Sequence, residues 1–260
     1  MKAVILAGGL GTRISEESHL RPKPMIEIGS APILWHILKF YSHFGVNDFI
    51  ICCGYKGYVI KEYFAEYYLH NSDVTFDFSN GGTETIHANV AEPWRVTVVD
   101  TGLETQTGGR IRRIRKYVQG ERFLMTYGDG LADISLPRLL ETHDKAGKTV
   151  TLSAIQPGGR FGVLDINDRE GTITGFHEKA RDDATWINAG FMVMEPRVFD
   201  YIDGDHTVFE REPLERLSAK GELGVFKHHG YWQCMDTQRD RNALENLWNS
   251  GRAPWKVWEN

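Results

Sequence analysis

An α/β fold built on a mainly parallel sheet is what the sequence predicts, and three patterns predict it. Apolar runs of strand length alternate with segments of helical apolar spacing through the first half of the chain. A hairpin pattern interrupts that alternation. The second half is rich in strand patterns with little helix between them. Strand, helix, strand in this rhythm implies βαβ units, whose ligands sit at the carboxyl ends of the strands.

Taken in order, Ala3–Ala7 reads as a first buried strand. Pro32 opens a helix in which Ile33, Leu34, Ile37, Leu38 and Tyr41 share a face, and Gly45 ends it. Phe49–Cys53 is a second buried strand. Val59, Ile60, Tyr63, Phe64 and Tyr67 form the next helical stripe. Arg95–Val99 and Phe123–Tyr127 read as further strands, separated by a helix around Ile111, Ile114 and Val118. Val74–Phe78, Asn80-Gly81-Gly82 and Glu84–Val90 make an antiparallel hairpin inserted between units. Thr149–Ile155, Gly162–Ile166, Ile173–His177 and Phe191–Met194 suggest an antiparallel extension carrying a second binding surface. A helix near Arg239–Trp248 closes the fold. Trp248, Trp255 and Trp258 are too many indoles for a free tail, so the tail is expected to pack on this or another subunit. The expectation is a Rossmann-like sheet flanked by helices in one domain, 1–260. The hairpin insertion spans about 72–92, and the closing helix and tail about 238–260.

Composition narrows the class. The chain has 260 residues, 41% of them apolar and 25% charged, which fits a globular protein and excludes a disordered, collagenous or disulfide-scaffold chain. Thirty Lys and Arg against 35 Asp and Glu give a net charge of −5, a poor match to a general nucleic-acid binder. The three cysteines, Cys52, Cys53 and Cys234, form no paired framework, which points to a reducing, cytoplasmic setting. No stretch approaches the roughly 20 apolar residues of a membrane span. The opening apolar run stops at Gly8-Gly9 with Arg13 following, so it reads as a strand rather than a leader.

The strongest chemical signal follows the first strand: Leu6-Ala7-Gly8-Gly9-Leu10-Gly11-Thr12-Arg13. Three glycines let the backbone approach a ligand and turn N–H groups toward phosphate oxygens. The spacing matches neither the dinucleotide fingerprint nor a Walker A loop. A glycine cluster alone is most simply a turn, but Arg13 adds a permanent bidentate phosphate donor. Ten residues on, Pro22 and Pro24 stiffen the backbone around Lys23, a second cation on the same loop system. Tyr127-Gly128-Asp129-Gly130 places an acid between glycines at a strand end, suited to a metal or a ribose hydroxyl, or to a plain turn. Asp236 could partner it in an oxygen site for Mg²⁺, or could cap the helix that follows. Arg160-Phe161-Gly162, Glu178-Lys179 and Asn188-Ala189-Gly190 together suggest a polar site made of turns, suited to hydroxyls and one phosphate. The basic run Arg110–Lys116 reads mainly as a solvated helix face, because Ile111, Ile114 and Val118 form its buried stripe; Gly108-Gly109-Arg110 could still sit beside a nucleotide. The histidines show no zinc spacing.

These pieces, in this order, resemble the sugar-phosphate nucleotidylyltransferases: Gly8-Gly9-x-Gly11-Thr12-Arg13, proline-flanked Lys23, Asp129 in a glycine turn, Glu178-Lys179, Asn188-x-Gly190 and the late Asp236. Cys52-Cys53-Gly54-Tyr55-Lys56-Gly57, Glu92-Pro93-Trp94, Val99-Asp100-Thr101-Gly102, Thr107-Gly108-Gly109-Arg110 and Trp232-Gln233-x-Met235-Asp236-Thr237 resemble one branch, the glucose-1-phosphate cytidylyltransferases. Ala180 departs from the proline usual after Glu-Lys. The resemblance implies transfer from CTP to α-D-glucose 1-phosphate, giving CDP-glucose and pyrophosphate, with Mg²⁺ as cofactor. It implies a homo-oligomer, with hexamers known in the branch, and a product used for bacterial surface polysaccharide. No nucleic acid or membrane partner is implied. It assigns Mg²⁺ to Asp129 and Asp236, the pyrophosphate to Arg13 and the transferring phosphate to Lys23. The sugar phosphate falls to Lys179, the sugar hydroxyls to Gly162, Glu178, Asn188 and Gly190. Base and ribose fall to the Leu6–Gly11 backbone with Thr107, Gly109 and Arg110, beside Gly128. The attacking phosphate is largely dianionic at neutral pH, so no general base is needed and the site should supply position and positive charge. The rival readings are the same chemistry with dTTP or UTP, and a non-catalytic nucleotide-sugar sensor.

Overall fold

The computed structural model describes residues 1–11, 21–156, 163–167, 169–177 and 185–259. Strand β1 (Lys2–Ala7) is buried from Ala3 onward. The prolines around Lys23 produce one 3₁₀ turn, Lys23–Met25. A small ladder of β2 (Glu27–Ile28) and β3 (Ala31–Pro32) leads into α1 (Ile33–His43), which buries the expected face together with His36 and Phe40. β4 (Asp48–Cys53) and α2 (Gly57–His70) complete the first βαβ rhythm.

The inserted hairpin is β5 (Ser72–Asp77) and β6 (Thr83–Asn89), and β6 is exposed along its whole length. Then come β7 (Arg95–Asp100), α3 (Thr107–Arg113) and α4 (Arg115–Val118). The helix expected around Ile111, Ile114 and Val118 is therefore two segments broken at Ile114, although all three side chains are buried as the stripe requires. β8 (Phe123–Tyr127), β9 (Gly130–Ala132), α5 (Leu136–Ala146), β10 (Val150–Ile155), β11 (Val163–Asn167), β12 (Thr172–His177) and β13 (Ile187–Met194) follow. The chain ends through α6 (Glu212–Ala219), β14 (Leu223–Lys227), β15 (Trp232–Cys234) and α7 (Gln238–Asn249).

Among the described residues nine strands form one mixed sheet, in the order β11-β12-β14-β10-β13-β8-β1-β4-β7. β7, β4, β1 and β8 are mutually parallel, with Leu6 opposite Cys52 on one side and Tyr127 on the other. β13 runs antiparallel between β8 and β10, and starts the strand-rich half. From β1 the chain first builds outward to β4 and β7, then returns to lay β8 on β1's other side. That reversal between β1 and β8 is the switch point where a crevice opens at the carboxyl ends of parallel strands.

Two apolar layers cover the sheet. One contains α1, the inner faces of β1 and β4, and the tail; the other contains Ile111, Ile114, Val118, Phe199 and Leu214. The indoles of the tail belong to the first. Trp255 is fully buried and Trp258 nearly so, and with Trp35 and Trp248 they surround the imidazole of His36. The tail thus packs on its own chain. His36 Nε2–H donates to the Ile28 carbonyl at 2.8 Å, while Trp255 Nε1–H donates to its Nδ1 at 3.4 Å. Burial lowers the His36 pKa to about 4, so the ring is neutral in this cage. Cys52 and Cys53 are buried free thiols on β4, both with pKa pushed up by burial. Among the described residues, no helix is long and apolar enough to cross a membrane.

Candidate active site

A cavity of about 230 Å³ lies at the switch point. Its walls are the Leu6–Gly9 and Gly11 loop after β1, the Tyr127–Asp129 turn after β8, Lys23-Pro24, Thr105–Thr107 and Arg110. Gly128 is pinned by its N–H to the Leu6 carbonyl at 2.9 Å. A β-carbon there would lie 2.9 Å from Pro24, so glycine lets the two loops meet.

At one end of the cavity Lys23 Nζ donates to Asp129 Oδ2 and to Asp236 Oδ1, both at 2.6 Å. Three separate pieces of local structure converge here. The proline-flanked turn fixes Lys23. The glycine turn after β8 presents Asp129. The two-stranded ladder of β9 with β15 sets Cys234 opposite Gly130, and the Met235 N–H bonds to the Asp129 carbonyl at 2.8 Å, which delivers Asp236 alongside. Asp236 is not the helix cap. Thr237 caps α7 in a reciprocal capping box with Asp240, leaving the Asp236 carboxylate for Lys23. Burial lowers the Lys23 pKa, but the two carboxylates outweigh it and hold the ammonium above its ordinary value. The Cys234 thiol contacts Asp236 at 3.4 Å, and burial with the neighbouring acids pushes its pKa up, so it remains a thiol.

The donor chemistry of this pair suits a hard divalent cation. Two carboxylates converge on one positively charged group, in an oxygen-rich setting that substrate phosphate oxygens could complete. Among the described residues no cluster of three or more His, Cys, Asp or Glu side chains offers an all-protein metal site. Substrate phosphate oxygens and water could complete the shell of a metal held by the two carboxylates.

The far wall carries a network that the sequence did not announce. Tyr127 Oη donates to Glu210, and Thr107 Oγ1 donates to the other carboxylate oxygen of Glu210 at 2.5 Å. Burial first, then Glu210, raises the Tyr127 pKa far above its usual value, so it is a neutral donor. Asn188 also hydrogen-bonds to Tyr127, and the Asn188 Oδ1 accepts from the Gly190 N–H at 2.8 Å. Gly190 has φ +83°, and a β-carbon there would lie 2.5 Å from the Tyr127 ring. Thr107, Asn188 and Gly190 are therefore linked through Tyr127 and Glu210. Tyr127 was visible as a strand end, whereas Glu210 stands in a loop with no motif around it.

The other expected site residues divide. Leu6, Ala7, Gly8, Gly9, Gly11, Thr107, Arg110 and Gly128 line the cavity. Leu10 is half exposed and outside that lining. Gly109 is outside that lining, and a β-carbon there would lie 2.5 Å from the Asp205 carbonyl oxygen. Arg110 is buried rather than solvated, unlike Arg112, Arg115 and Lys116 of the same run. Thr12, Arg13, Gly162, Glu178 and Lys179 lie outside the described residues.

A mainly parallel sheet, a glycine loop at its switch point, and a lysine between two carboxylates make a crevice whose chemistry suits phosphorylated ligands. The model of the nucleotidyl transferase family matches residues 2–237, and the chain belongs to that family. Among curated proteins it is 57% identical over its whole length to the glucose-1-phosphate cytidylyltransferase of Salmonella typhimurium, covering all of both chains. It is 45% identical to the probable glucose-1-phosphate cytidylyltransferase of Bacillus subtilis, over 99% of this chain and all of that one. Among solved structures, HddC of Yersinia pseudotuberculosis shares the fold with a TM-score of 0.76, at 22% identity over 95% of this chain and 99% of that one.

Proposed function

We propose that the protein transfers the cytidylyl group of CTP to α-D-glucose 1-phosphate, forming CDP-glucose and releasing pyrophosphate. The 57% identity across the full length of a relative with that name carries the reading. In this reading residues 1–260 act as one nucleotidyltransferase domain.

The chemistry needs alignment and positive charge more than proton transfer. The sugar phosphate is already an anionic nucleophile, and its attack on the α-phosphate brings like charges together. Asp129 and Asp236 would hold Mg²⁺, which when bound offsets charge at the α-phosphate. Lys23, which donates to both acids at 2.6 Å, would yield them to Mg²⁺ and turn its charge to the transferring phosphate. Arg13 follows the glycine loop in sequence and would stabilise the pyrophosphate leaving group. Lys179 would hold the sugar phosphate, with Glu178 and Gly162 beside it on the hydroxyls. Asn188 and Gly190, tied to Tyr127, would read the sugar hydroxyls, and Thr107 and the Leu6–Gly11 backbone the nucleoside. An in-line displacement follows, in which the bond from α-phosphorus to the bridging oxygen breaks as the sugar phosphate oxygen bonds to phosphorus.

The test is pyrophosphate release with glucose 1-phosphate and Mg²⁺, run separately with CTP, UTP, dTTP, ATP and GTP. Release with CTP well above the rest is expected. Preference for dTTP or UTP would retain the chemistry and overturn the base. Nucleotide binding without release would replace the enzyme by a sensor.

A further inference from the structure

Arg110 lines the nucleotide cavity, yet its hydrogen bonds go to the protein. Its side chain is buried at 5% exposure. Nη1 donates to the Cys53 carbonyl at 3.1 Å, the Thr101 hydroxyl at 2.7 Å and the Gly102 carbonyl at 2.8 Å. Nη2 donates to the Gly8 carbonyl at 3.0 Å and the Leu103 carbonyl at 3.2 Å. Cys53 ends β4, Thr101–Leu103 follow β7, and Gly8 follows β1. One guanidinium therefore ties together the ends of three adjacent parallel strands, adding to the Thr101 N–H on the Cys53 carbonyl at 2.9 Å and to the longer Tyr55 N–H contact on the Gly8 carbonyl at 3.4 Å. Its planar fork of five donors suits this, and a lysine ammonium could not span the same acceptors.

Glycine chemistry supports the same conclusion. A β-carbon at Gly8 would lie 2.1 Å from Arg110 Nη1 and 2.3 Å from Cζ. One at Gly54 would lie 2.6 Å from Nη1 and 2.7 Å from the Gly8 carbonyl oxygen. These two glycines make room for the arginine, whereas Gly9 has nothing within 4 Å of its missing β-carbon. The Gly8 carbonyl and the Gly9 N–H belong to one planar trans peptide and point opposite ways. Holding the carbonyl onto Arg110 thus sets the direction of the Gly9 N–H in the cavity wall.

We propose that Arg110 is a positioning residue for the nucleotide: by clamping the Gly8 carbonyl to the ends of β4 and β7, it fixes the glycine loop in its binding conformation. The clamp acts on the CTP side and leaves the sugar-phosphate side alone. The ligand named here rests on the proposed function; the clamp itself does not.

The experiment compares wild type, Arg110→Met and Arg110→Lys by hydrogen–deuterium exchange without ligand, CTP binding by calorimetry, and steady-state kinetics. In Arg110→Met, exchange in the peptide spanning residues 6–11 should rise and CTP binding weaken, each by roughly tenfold or more, with α7 unchanged. The KM for glucose 1-phosphate should stay within about twofold, the split that a general loss of structure would not give. Arg110→Lys should resemble Arg110→Met, since charge without the fork cannot bridge three strand ends. Should Arg110→Met fail to fold, Gly8→Ala, whose β-carbon evicts the guanidinium, carries the same expectation. Unchanged exchange at residues 6–11, or full recovery of CTP binding with lysine, overturns the clamp. Wild-type protein that does not bind CTP would refute the proposed function, while the exchange comparison would still decide on Arg110.

Discussion

Replacing Lys23 by methionine removes the positive charge from between Asp129 and Asp236 and leaves a side chain of similar length. Both contacts are 2.6 Å, and the side chains are 13%, 27% and 21% exposed for Lys23, Asp129 and Asp236. Deleting one partner of a fully buried ion pair costs about 3–5 kcal/mol. Here the carboxylates reach water along one side, so screening reduces the loss to about 2 kcal/mol. For a chain of this size 1 kcal/mol shifts Tm by roughly 2–4 °C, so in chelator the variant should melt about 4–8 °C below wild type. Added Mg²⁺ should restore most of that difference. A divalent cation can take over two abandoned carboxylates, whereas in the wild type it competes with an ammonium already in place. The assay is calorimetric melting with chelator and with excess Mg²⁺. Equal Mg²⁺ shifts in the two proteins, or an unchanged Tm in chelator, would refute the argument that these three groups share one electrostatic site.

Other outcomes follow from particular contacts. Asp236→Asn should keep the fold, because Thr237 and Asp240 carry the helix cap, while turnover falls by about a hundredfold or more; circular dichroism and pyrophosphate release check it. Gly190→Ala would force a side chain onto φ +83° and into the Tyr127 ring, so it should lower Tm and raise the KM for glucose 1-phosphate, and a normal KM would remove Gly190 from the sugar side. His36 has a pKa of about 4 when folded against 6.5 for a free ring. Between those values the unfolded chain binds a proton that the native cage refuses, so stability falls as pH falls. The slope is about 1.4 kcal/mol per pH unit, about 3 kcal/mol in all, and is absent above pH ~7. Urea titrations at both pH extremes should show a smaller acid loss in His36→Asn than in wild type.

The sheet was legible because burial writes itself into sequence. The runs at Ala3–Ala7, Phe49–Cys53 and Phe123–Tyr127 are apolar on both faces, as strands covered by helices on both sides must be. The hairpin was legible from Asn80-Gly81-Gly82, where both glycines take positive φ. Lys23, Asp129 and Asp236 were each weak signals. That they touch is a tertiary fact, set by the proline turn, the glycine turn and the β9–β15 ladder, a pairing across a hundred residues of chain. Arg110 was harder. It stands in a basic run whose other members are solvated, and nothing local says that this arginine turns inward toward three strand ends. Glu210 gave no signal, since its partners Tyr127 and Thr107 are distant in sequence. Three indoles in the tail signal packing in the sequence itself, but their host, the His36 cage on α1, is a tertiary fact.

The most direct measurement follows CTP labelled on its α-phosphorus through a single turnover with glucose 1-phosphate and Mg²⁺. All of the label is expected in CDP-glucose, with unlabelled pyrophosphate as the other product. Label released as free CMP without glucose 1-phosphate, or label absent from any sugar nucleotide, would contradict the proposed transfer.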